Sequence, residues 1–274
     1  MVFKLFSKLL GAFSAGTAVA CALKCAISEE NPLQAATSII QQSLVKWNDN
    51  WDRRDVLSLI KPDKKKKVSD KEMEEKKAEL KPTATRNIFL IRHGRYYSNE
   101  GVDEKRILTT FGLVQANLVG QRLKDLNLDF SKITHSTMTR AKETSKEIEK
   151  YFPDVTVESS DLLREGFPIE TEPPLNIDQK IIHEDGPRIE AAFRKYFHRA
   201  NASQETDSYE IIVCHGNVIR YCLLRALQVP PEFWNNFVLF HCSISRVSID
   251  PEGYVLVHSA GDIGFMPHDL MTFK

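Results

Sequence analysis

The chain predicts a three-layer α/β sandwich in which a mostly parallel central sheet has an antiparallel edge. From residue 86 onward, short apolar runs alternate with longer segments of helical length, the order typical of a parallel sheet covered by helices. The last two strand candidates are separated by Asp250-Pro251-Glu252-Gly253, a hairpin turn signal that makes this edge antiparallel. With 42% hydrophobic residues, the 274-residue chain can form one core of about 200 residues with extensions.

The alternating segments define the predicted elements in chain order. Strands are predicted at residues 88–91, 133–135, 155–157, 211–214, 244–249 and 254–258. Helices are predicted at residues 110–126, 139–151, 186–198, 218–227 and 231–236. These elements all fall in a main domain at residues 83–274, preceded by a membrane segment at 1–30 and a connecting region at 31–82.

Two predicted strands end in a histidine and a glycine. Residues 87–91 lead into Arg92-His93-Gly94, and residues 210–214 lead into His215-Gly216. Ligands of open α/β sheets bind at the carboxyl ends of strands, where glycine lets the backbone turn sharply and approach them. We therefore expect one site with two imidazoles. Metal binding is disfavoured, because there is no His-x-x-x-His, no Cys-x-x-Cys and no third ligand at a familiar spacing.

The overall composition excludes two classes of protein. The net charge is zero and the pI is about 7.1, which argues against a general nucleic-acid binder because such proteins carry a basic excess. The five cysteines are odd in number and irregularly spaced, so no disulfide framework is expected.

The amino terminus has the character of a membrane anchor. Lys4 and Lys8 precede an uncharged run at residues 9–23, in which Ala12, Gly16 and Ala20 form a small-residue ridge suited to helix packing. The run is short for a spanning helix, but flanking lysines extend it by snorkelling. We favour an anchor at residues 1–30 over its main rival, a cleaved secretory signal.

The connecting region holds a tryptophan pair and a charged linker. Trp47 and Trp51 are four residues apart, share one face if helical, and have polar neighbours, a composition that suits self-association. The alternative is that both rings cover the main domain. Residues 61–81 are lysine-rich and nearly devoid of apolar side chains, which indicates a solvated and partly helical linker.

Four ordered motifs lie in the main domain. They are Arg92-His93-Gly94 with Asn99, Leu108-Thr109 with Gly112 and Gln115-Ala116, Ser136 with Arg140-Ala141 and Thr144, and His215-Gly216 with Val218-Ile219-Arg220. Together they resemble the signature blocks of the histidine phosphatase superfamily, in its phosphoglycerate mutase branch. The resemblance covers about residues 86–274 and implies a phosphoglycerate-mutase-like fold for the catalytic domain.

Further segments are similar to one subgroup of that family, the membrane-anchored mitochondrial protein serine/threonine phosphatases. The similar segments are residues 162–166, 190–194 and 264–267, together with the tryptophan motif at residues 47–52. The resemblance implies phosphoprotein substrates, a mitochondrial membrane location with the inner membrane favoured, and no cofactor. It also implies a homo-oligomer of catalytic-domain dimers assembled through Trp47, Asn50, Trp51 and Asp52.

The same resemblance assigns roles to the site residues. His93 is expected to be the nucleophile, since a neutral imidazole can attack phosphorus and form a covalent intermediate. Arg92 and Arg140 are expected to clamp phosphate oxygens, with His215 as a further donor and Asn99 as a weaker one. Glu165 is expected to be the general acid and base. Only the resemblance prefers it to the other nearby carboxylates, Asp161, Glu170 and Glu172.

Substrate choice leaves alternatives open. Arg95-Tyr96-Tyr97 stands where small-molecule mutases of the family have Glu-Ser-x-Trp, which argues against a sugar-phosphate pocket. The aromatic rings either contact a peptide substrate or simply pack. The leading hypothesis is a membrane-anchored phosphatase of phosphoserine, phosphothreonine and also phosphohistidine. The alternatives are a small-molecule phosphatase or phosphoglycerate mutase, and a multimeric membrane scaffold with secondary catalysis.

Overall fold

The computed structural model describes residues 46–60 and 69–273. The predicted anchor at residues 1–30 lies outside this range, and so does most of the lysine run in the linker. Within the described ranges, no helix has the length and apolar character needed to cross a membrane. The domain boundaries at residues 30 and 82 therefore stay predictions.

Six strands of the described region form one mixed sheet in the order β3-β2-β4-β1-β5-β6. They are β1 (Arg86–Arg92), β2 (Phe130–Ser136), β3 (Thr156–Ser160), β4 (Ser208–Cys214), β5 (Ile244–Ile249) and β6 (Val255–Asp262). The first four pair in parallel, whereas β5 is antiparallel to β1 and β6 is antiparallel to β5. The predicted mostly parallel sheet with an antiparallel edge is confirmed.

Helices cover both faces of this sheet. In chain order, the helices of the described residues are α1 (Val56–Leu59), α2 (Asp70–Leu80), α3 (Thr110–Asp125), α4 (Thr139–Glu149), α5 (Gln179–Tyr196) and α6 (Gly216–Ala226). The first two have no buried residues, so the sheet is covered by the other four. Phe89 and Ile91 of β1 belong to a core that α3 and α4 complete with residues such as Val119 and Ile148. Because side chains alternate along a strand, Ile88 and Leu90 face the opposite side, where α6 packs on β1 beside α5.

One predicted helix begins seven residues too late. Gly186-Pro187 suggested a helix start, but α5 begins at Gln179 after the N-cap Asp178 and runs through Pro187. Gly186 serves close packing instead, because an added Cβ would lie 2.7 Å from the Pro168 carbonyl oxygen. The glycine thus lets α5 approach the loop that follows β3.

The charged linker contains the helix α2, whose N-terminus is capped by a capping box between Ser69 and Glu72.

Part of the tryptophan motif packs on the main domain. The Trp51 ring is 6% exposed, donates through Nε1 to the Gly253 carbonyl at 2.9 Å and lies 5.7 Å from the Phe193 ring. Asp52 forms a buried ion pair with Arg199 at 2.8 Å. These contacts match the alternative in which the aromatic ring covers its own domain.

Asn50 stabilises the same segment through hydrogen bonds to residues within it. Its side chain donates to the Ser58 hydroxyl at 2.7 Å and accepts from the Asp55 backbone N–H at 3.1 Å. Trp47, in contrast, is partly exposed. Self-association through Trp47, Asn50, Trp51 and Asp52 is not tested by a single chain and stays a prediction.

Candidate active site

The two strands that end in His-Gly lie side by side and bring their imidazoles together. His93 follows β1 and His215 follows β4, and the His93 N–H donates to the Cys214 carbonyl at 3.0 Å. The two ring centroids are 5.1 Å apart, and both side chains are buried. Because parallel neighbours end at the same edge, the expected pair of imidazoles forms one site.

The hydrogen bonds of His93 fix its tautomer. Its Nδ1 lies 2.9 Å from the Gly94 carbonyl oxygen, and a carbonyl can only accept, so Nδ1 carries the proton. Nε2 therefore carries an unprotonated lone pair, which accepts from Arg140 Nε at 3.2 Å. Burial, then the neighbouring His215 and Arg140, hold the pKa of His93 well below 6.5. The ring is thus neutral at physiological pH.

His215 is held in the same tautomer as His93. Its Nε2 lies 2.8 Å from the Ser136 hydroxyl, and that oxygen already accepts from the Met138 N–H at 3.3 Å. Ser136 is fully buried, and Nε2 is the acceptor for its hydroxyl proton among the described residues, which leaves the ring proton on Nδ1. His215 Nδ1 is buried and has no hydrogen-bond partner among the described residues. It is a donor available to an oxygen atom that enters the site.

Arg140 is buried at the start of α4 and is held from two sides. Its guanidinium pairs with Asp103 at 3.4 Å and lies 4.7 Å from the centre of the Tyr96 ring. Asp103 also accepts from the Thr139 N–H at 2.9 Å, which places a carboxylate at the positive end of the helix. The unfavourable position of a cation at a helix start is thus already compensated in part by Asp103, without a bound anion.

Arg92 is the last residue of β1 and is held by backbone carbonyls. Its Nη1 donates to the carbonyls of Leu239 and Phe273, the latter at 3.1 Å. Its Nε is buried and has no hydrogen-bond partner within residues 46–60 and 69–273. A second cationic group therefore lies beside His93, and its Nε–H can still donate a hydrogen bond.

Glu165 lies in the loop that follows β3 and a short 3₁₀ turn at Asp161–Leu163. Burial raises the pKa of its carboxyl, and the charges of Arg140 and Arg92 oppose this rise without cancelling it. Those interactions place the carboxyl within electrostatic reach of both arginines. A carboxyl with a raised pKa beside two arginines has the character of a general acid.

The Glu165 loop is clamped by one side chain of α5. The Arg188 guanidinium donates to the carbonyls of Leu162, Arg164 and Glu165, at 3.2, 2.5 and 3.1 Å respectively. It also pairs with Asp185 at 2.5 Å. Asp185 in turn accepts from the Phe167 N–H at 3.1 Å, so the pair holds the loop on both sides of the carboxyl.

The structure separates the remaining candidates from this cluster. Asp161, Glu170 and Glu172 are exposed. The Asp161 carboxylate accepts a hydrogen bond from Thr137, and the Glu170 carboxylate accepts one from Gln179. Asn99 lies on an exposed turn and, within the described residues, makes no hydrogen bond to the cluster. Its role as a weak phosphate donor stays a prediction.

Sequence reasoning missed several residues that the structure places at the site. His241 is buried with its ring 5.5 Å from His93, and Tyr96 contacts the same ring edge-on at 5.1 Å. Tyr96 was noted only as a substrate contact or a packing residue. Asp103 and Arg188 act through Arg140 and the Glu165 loop. None of these residues follows a strand in the pattern that identified His93, so the sequence carried no comparable signal for them.

Metal ligation has no support in the described part of the chain, where no group of three or more His, Cys, Asp or Glu side chains is arranged to hold an ion. The arrangement can nevertheless stabilise an anion. Two guanidinium groups and two imidazoles lie around the His93 ring, and the Glu165 carboxyl, whose pKa is raised, lies nearby. This constellation suits transfer of a phosphoryl group to nitrogen.

Comparisons with known proteins agree with this chemistry. A family model described as histidine phosphatase superfamily (branch 1) matches residues 88–172 and 168–261. The Mus musculus protein named "Serine/threonine-protein phosphatase PGAM5, mitochondrial" is 50% identical over 230 residues, covering 82% of this chain and 80% of that protein. The Caenorhabditis elegans protein of the same description is 44% identical over 234 residues, covering 83% and 80%.

A solved structure supports the fold. The phosphoglycerate mutase of Plasmodium falciparum has a TM-score of 0.50 and 35% sequence identity, covering 68% of this chain and 96% of that chain. The predicted phosphoglycerate-mutase-like sandwich is thereby confirmed. The family match spans more than half of the sequence and includes His93, Arg140 and His215. The chain belongs to the histidine phosphatase superfamily, branch 1.

Proposed function

We propose that this chain is a mitochondrial protein serine/threonine phosphatase that works through a phosphohistidine intermediate on His93. The observation that carries the proposal is the tautomer of His93, which presents an unprotonated Nε2 lone pair to a pocket of cationic donors. The relatives named as mitochondrial serine/threonine-protein phosphatases support the substrate class.

The first chemical step transfers the phosphoryl group to the enzyme. The Nε2 lone pair attacks phosphorus, the bond to the serine or threonine oxygen breaks, and Glu165 gives its proton to the departing oxygen. Arg140 leaves the lone pair of His93 and turns its fork to the equatorial oxygens, where charge develops. Arg92 and the Nδ1–H of His215 supply further donors there.

The second step returns the enzyme to its starting state. The Glu165 carboxylate takes a proton from water, the water oxygen attacks phosphorus, and the bond from phosphorus to His93 breaks. Inorganic phosphate leaves, and Glu165 is protonated for the next cycle. Since phosphohistidine is the enzyme's own intermediate, phosphohistidine side chains of other proteins are also substrates under this proposal.

Two assays on the full-length protein in detergent test the proposal. Phosphoserine and phosphothreonine peptides should be hydrolysed, and a quench without acid should trap an acid-labile phosphoprotein that is missing in His93→Ala. His183→Ala, which removes an exposed imidazole on α5, is the matched control and should retain both signals. Turnover should survive EDTA, since the cationic side chains already supply the positive charge.

The contrary outcomes are equally specific. Interconversion of 3-phosphoglycerate without peptide hydrolysis would favour the phosphoglycerate mutase alternative. Normal function of His93→Ala in a cellular complementation test would favour the scaffold alternative. A metal-reversible loss of turnover in EDTA would contradict the metal-independent mechanism.

We further propose a single-pass anchor in the mitochondrial membrane and assembly through the tryptophan motif. The anchor rests on the uncharged run at residues 9–23 with its lysine flanks. Carbonate extraction of organelles should leave the full-length chain in the pellet and release a chain that begins at residue 29. Light scattering of the full-length chain against Trp47→Ala should show a loss of molar mass if this partly exposed ring joins subunits.

A further inference from the structure

The site contains a third imidazole that none of the four family motifs supplies. His241 lies between the 3₁₀ turn Pro231–Asn236 and β5, and its side chain is only 1% exposed. Two backbone hydrogen bonds hold the chain at His241 and at the next residue, Cys242. The His241 N–H donates to the Thr272 carbonyl at 2.7 Å, and the next N–H, of Cys242, donates to the Arg92 carbonyl at 3.0 Å. The ring is thus anchored to the end of β1, beside His93.

A chain of hydrogen bonds from the carboxyl-terminal tail leads to the His241 ring and favours one of its two tautomers. The Arg95 N–H donates to Gln115 Oε1 at 2.9 Å, which fixes the orientation of that buried amide. Gln115 Nε2 then donates one hydrogen to the Leu270 carbonyl at 2.6 Å and the other to Thr272 Oγ1 at 2.8 Å. The Thr272 oxygen therefore accepts from Gln115, and His241 Nδ1 is the acceptor for its own proton among the described residues.

That proton has an acceptor in the His241 ring. Thr272 Oγ1 lies 2.9 Å from His241 Nδ1. If the hydroxyl donates to Nδ1, the ring proton must be on Nε2, since a neutral imidazole has one proton. Burial and the charges of Arg92, Arg95 and Arg140 lower the pKa of His241 to about 3, so the ring is neutral.

The Nε2 atom is the unexplained feature. It is buried and has no hydrogen-bond partner within residues 46–60 and 69–273. Buried polar groups are nearly always paired, because an unpaired donor loses its bonds to water without compensation. The same condition holds for His215 Nδ1 and Arg92 Nε, whose side chains also lie close to His93. Three buried donors without partners around one nucleophile indicate a common acceptor.

We propose that His241 Nε2–H donates a hydrogen bond to an oxygen of the transferred phosphoryl group, and that Thr272 holds the ring in this donor tautomer. The inference rests on the proposed function, because it assumes that the pocket receives a phosphoryl group. His241 is then a further substrate-binding residue, and Thr272 is a positioning residue that acts through it. The competing interpretation is that the ring only fills space beside His93 and Tyr96.

Paired substitutions in the full-length protein distinguish the two roles. His241→Phe keeps the ring volume and removes the donor, whereas His241→Gln replaces Nε2–H with an amide N–H of similar reach. Thr272→Val removes the hydroxyl at nearly constant shape, and Thr272→Ser retains it. Affinity for orthovanadate and for inorganic phosphate is measured by calorimetry, which needs no turnover, and thermal unfolding is followed in parallel.

We expect vanadate affinity to fall only in the variants that remove the hydrogen-bond donor or its positioning hydroxyl. His241→Phe should weaken vanadate binding about tenfold or more, since a hydrogen bond to a charged acceptor is lost, while His241→Gln should stay near the wild type. Thr272→Val should weaken binding by a smaller factor, and Thr272→Ser should not. His241→Phe should unfold at a temperature no lower than the wild type.

Other results overturn the inference. Wild-type anion affinity in His241→Phe would show that the ring makes no contact with the phosphoryl group. Equal losses in His241→Phe and His241→Gln, with lowered unfolding temperatures, would show that the ring only packs. Because these measurements are ratios of anion affinity, they are independent of peptide hydrolysis. A wild type that binds phosphate but hydrolyses no phosphopeptide would defeat the proposed function and leave this comparison intact.

Discussion

The two halves of the site are held in different ways. His93 and His215 stand at the ends of neighbouring parallel strands, where the sheet itself sets their separation. Glu165 stands on a loop whose carbonyls are held by the side chain of Arg188 of α5, twenty-three residues further along the chain. The half with His93 and His215, which we propose binds phosphate and call the phosphate half, is therefore fixed by backbone pairing. The half with Glu165, which we propose transfers protons and call the acid–base half, is held by side-chain hydrogen bonds, chiefly those of Arg188.

This difference has a mechanical consequence. Backbone ladders in the middle of a sheet are among the last elements to open, whereas loops held by a few side-chain bonds open at much lower cost. Substitutions around the loop should therefore disturb proton transfer and leave anion binding intact. The predictions below test that separation.

The largest expected effect is that of Glu165→Gln. Hydrolysis of a phosphoserine peptide should fall about 10³-fold, since the alkoxide leaving group then departs without a proton. Formation of phosphohistidine from an aryl phosphate, whose leaving group needs no proton, should change little, and the intermediate should accumulate because water is not activated. Glu170→Gln is the matched control. Stopped-flow burst measurements report both steps, and equal losses for the two substrates would contradict the acid role.

The pH profile should show the same division. His93 must be neutral to attack, and its pKa is lowered, so kcat/KM should decline only when the pH falls through that lowered value. Glu165 must be protonated to act as an acid, and its pKa is raised, so kcat/KM should decline as the pH rises through it. Glu165→Gln should abolish the alkaline decline and retain the acidic one. Profiles on a phosphoserine peptide are the measurement.

Arg140→Ala should cause the next largest loss, about 10²-fold in kcat, because one donor to the equatorial oxygens disappears. Arg140→Lys keeps the charge but not the planar fork, and it should recover only part of the rate. Vanadate affinity should fall in parallel, since this residue belongs to the phosphate half. Unchanged vanadate binding in Arg140→Ala would place the residue outside that half.

Arg188→Ala should lower the rate on phosphoserine peptides about tenfold, because the Glu165 carboxyl loses its fixed position. Vanadate affinity and phosphohistidine formation from an aryl phosphate should remain near wild type. Arg188→Lys cannot reach three carbonyls at once and should rescue little. Glu184→Ala, an exposed change on the same helix, is the control. A loss of vanadate affinity in Arg188→Ala would show that the two halves are not mechanically separate.

The phosphate half was also the half that the sequence made predictable. A strand period followed by His-Gly occurs twice, and parallel strands have to end at one edge, so His93 and His215 had to meet. The fold followed from the same alternation of strands and helices. Glu165 had no such constraint, because the position of a loop relative to an edge depends on tertiary packing.

The residues that the sequence could not reveal act at long range. Asp103 and Arg188 approach their partners only after α4 and α5 have packed, and nothing in their local sequence marks them. His241 follows an irregular turn, and its role depends on Thr272, thirty-one residues away. The start of α5 was misplaced because Gly-Pro normally ends or begins a helix, whereas here both residues are tolerated within it.

The smallest effect on turnover is expected at the far end of α5. Arg194 of this helix donates to the Trp51 carbonyl at 2.5 Å, and Phe193 packs on the Trp51 ring, while Arg188 of the same helix holds the Glu165 loop. Trp51→Ala should lower the free energy of unfolding by about 3 kcal/mol or more through loss of a buried ring. Asp52→Asn should cost a comparable amount, because Arg199 loses its buried partner.

Trp51→Ala should affect peptide hydrolysis, which depends on the Glu165 loop, and not vanadate binding, which depends on the phosphate half. If α5 transmits the change, peptide hydrolysis falls about threefold, while vanadate affinity stays constant. Thermal unfolding, calorimetry and light scattering on one preparation separate the possible causes. A fall in activity that follows the loss of oligomer mass, and disappears when assembly is restored at high protein concentration, would assign the effect to self-association. A fall at constant mass would assign it to α5 and the loop that this helix holds.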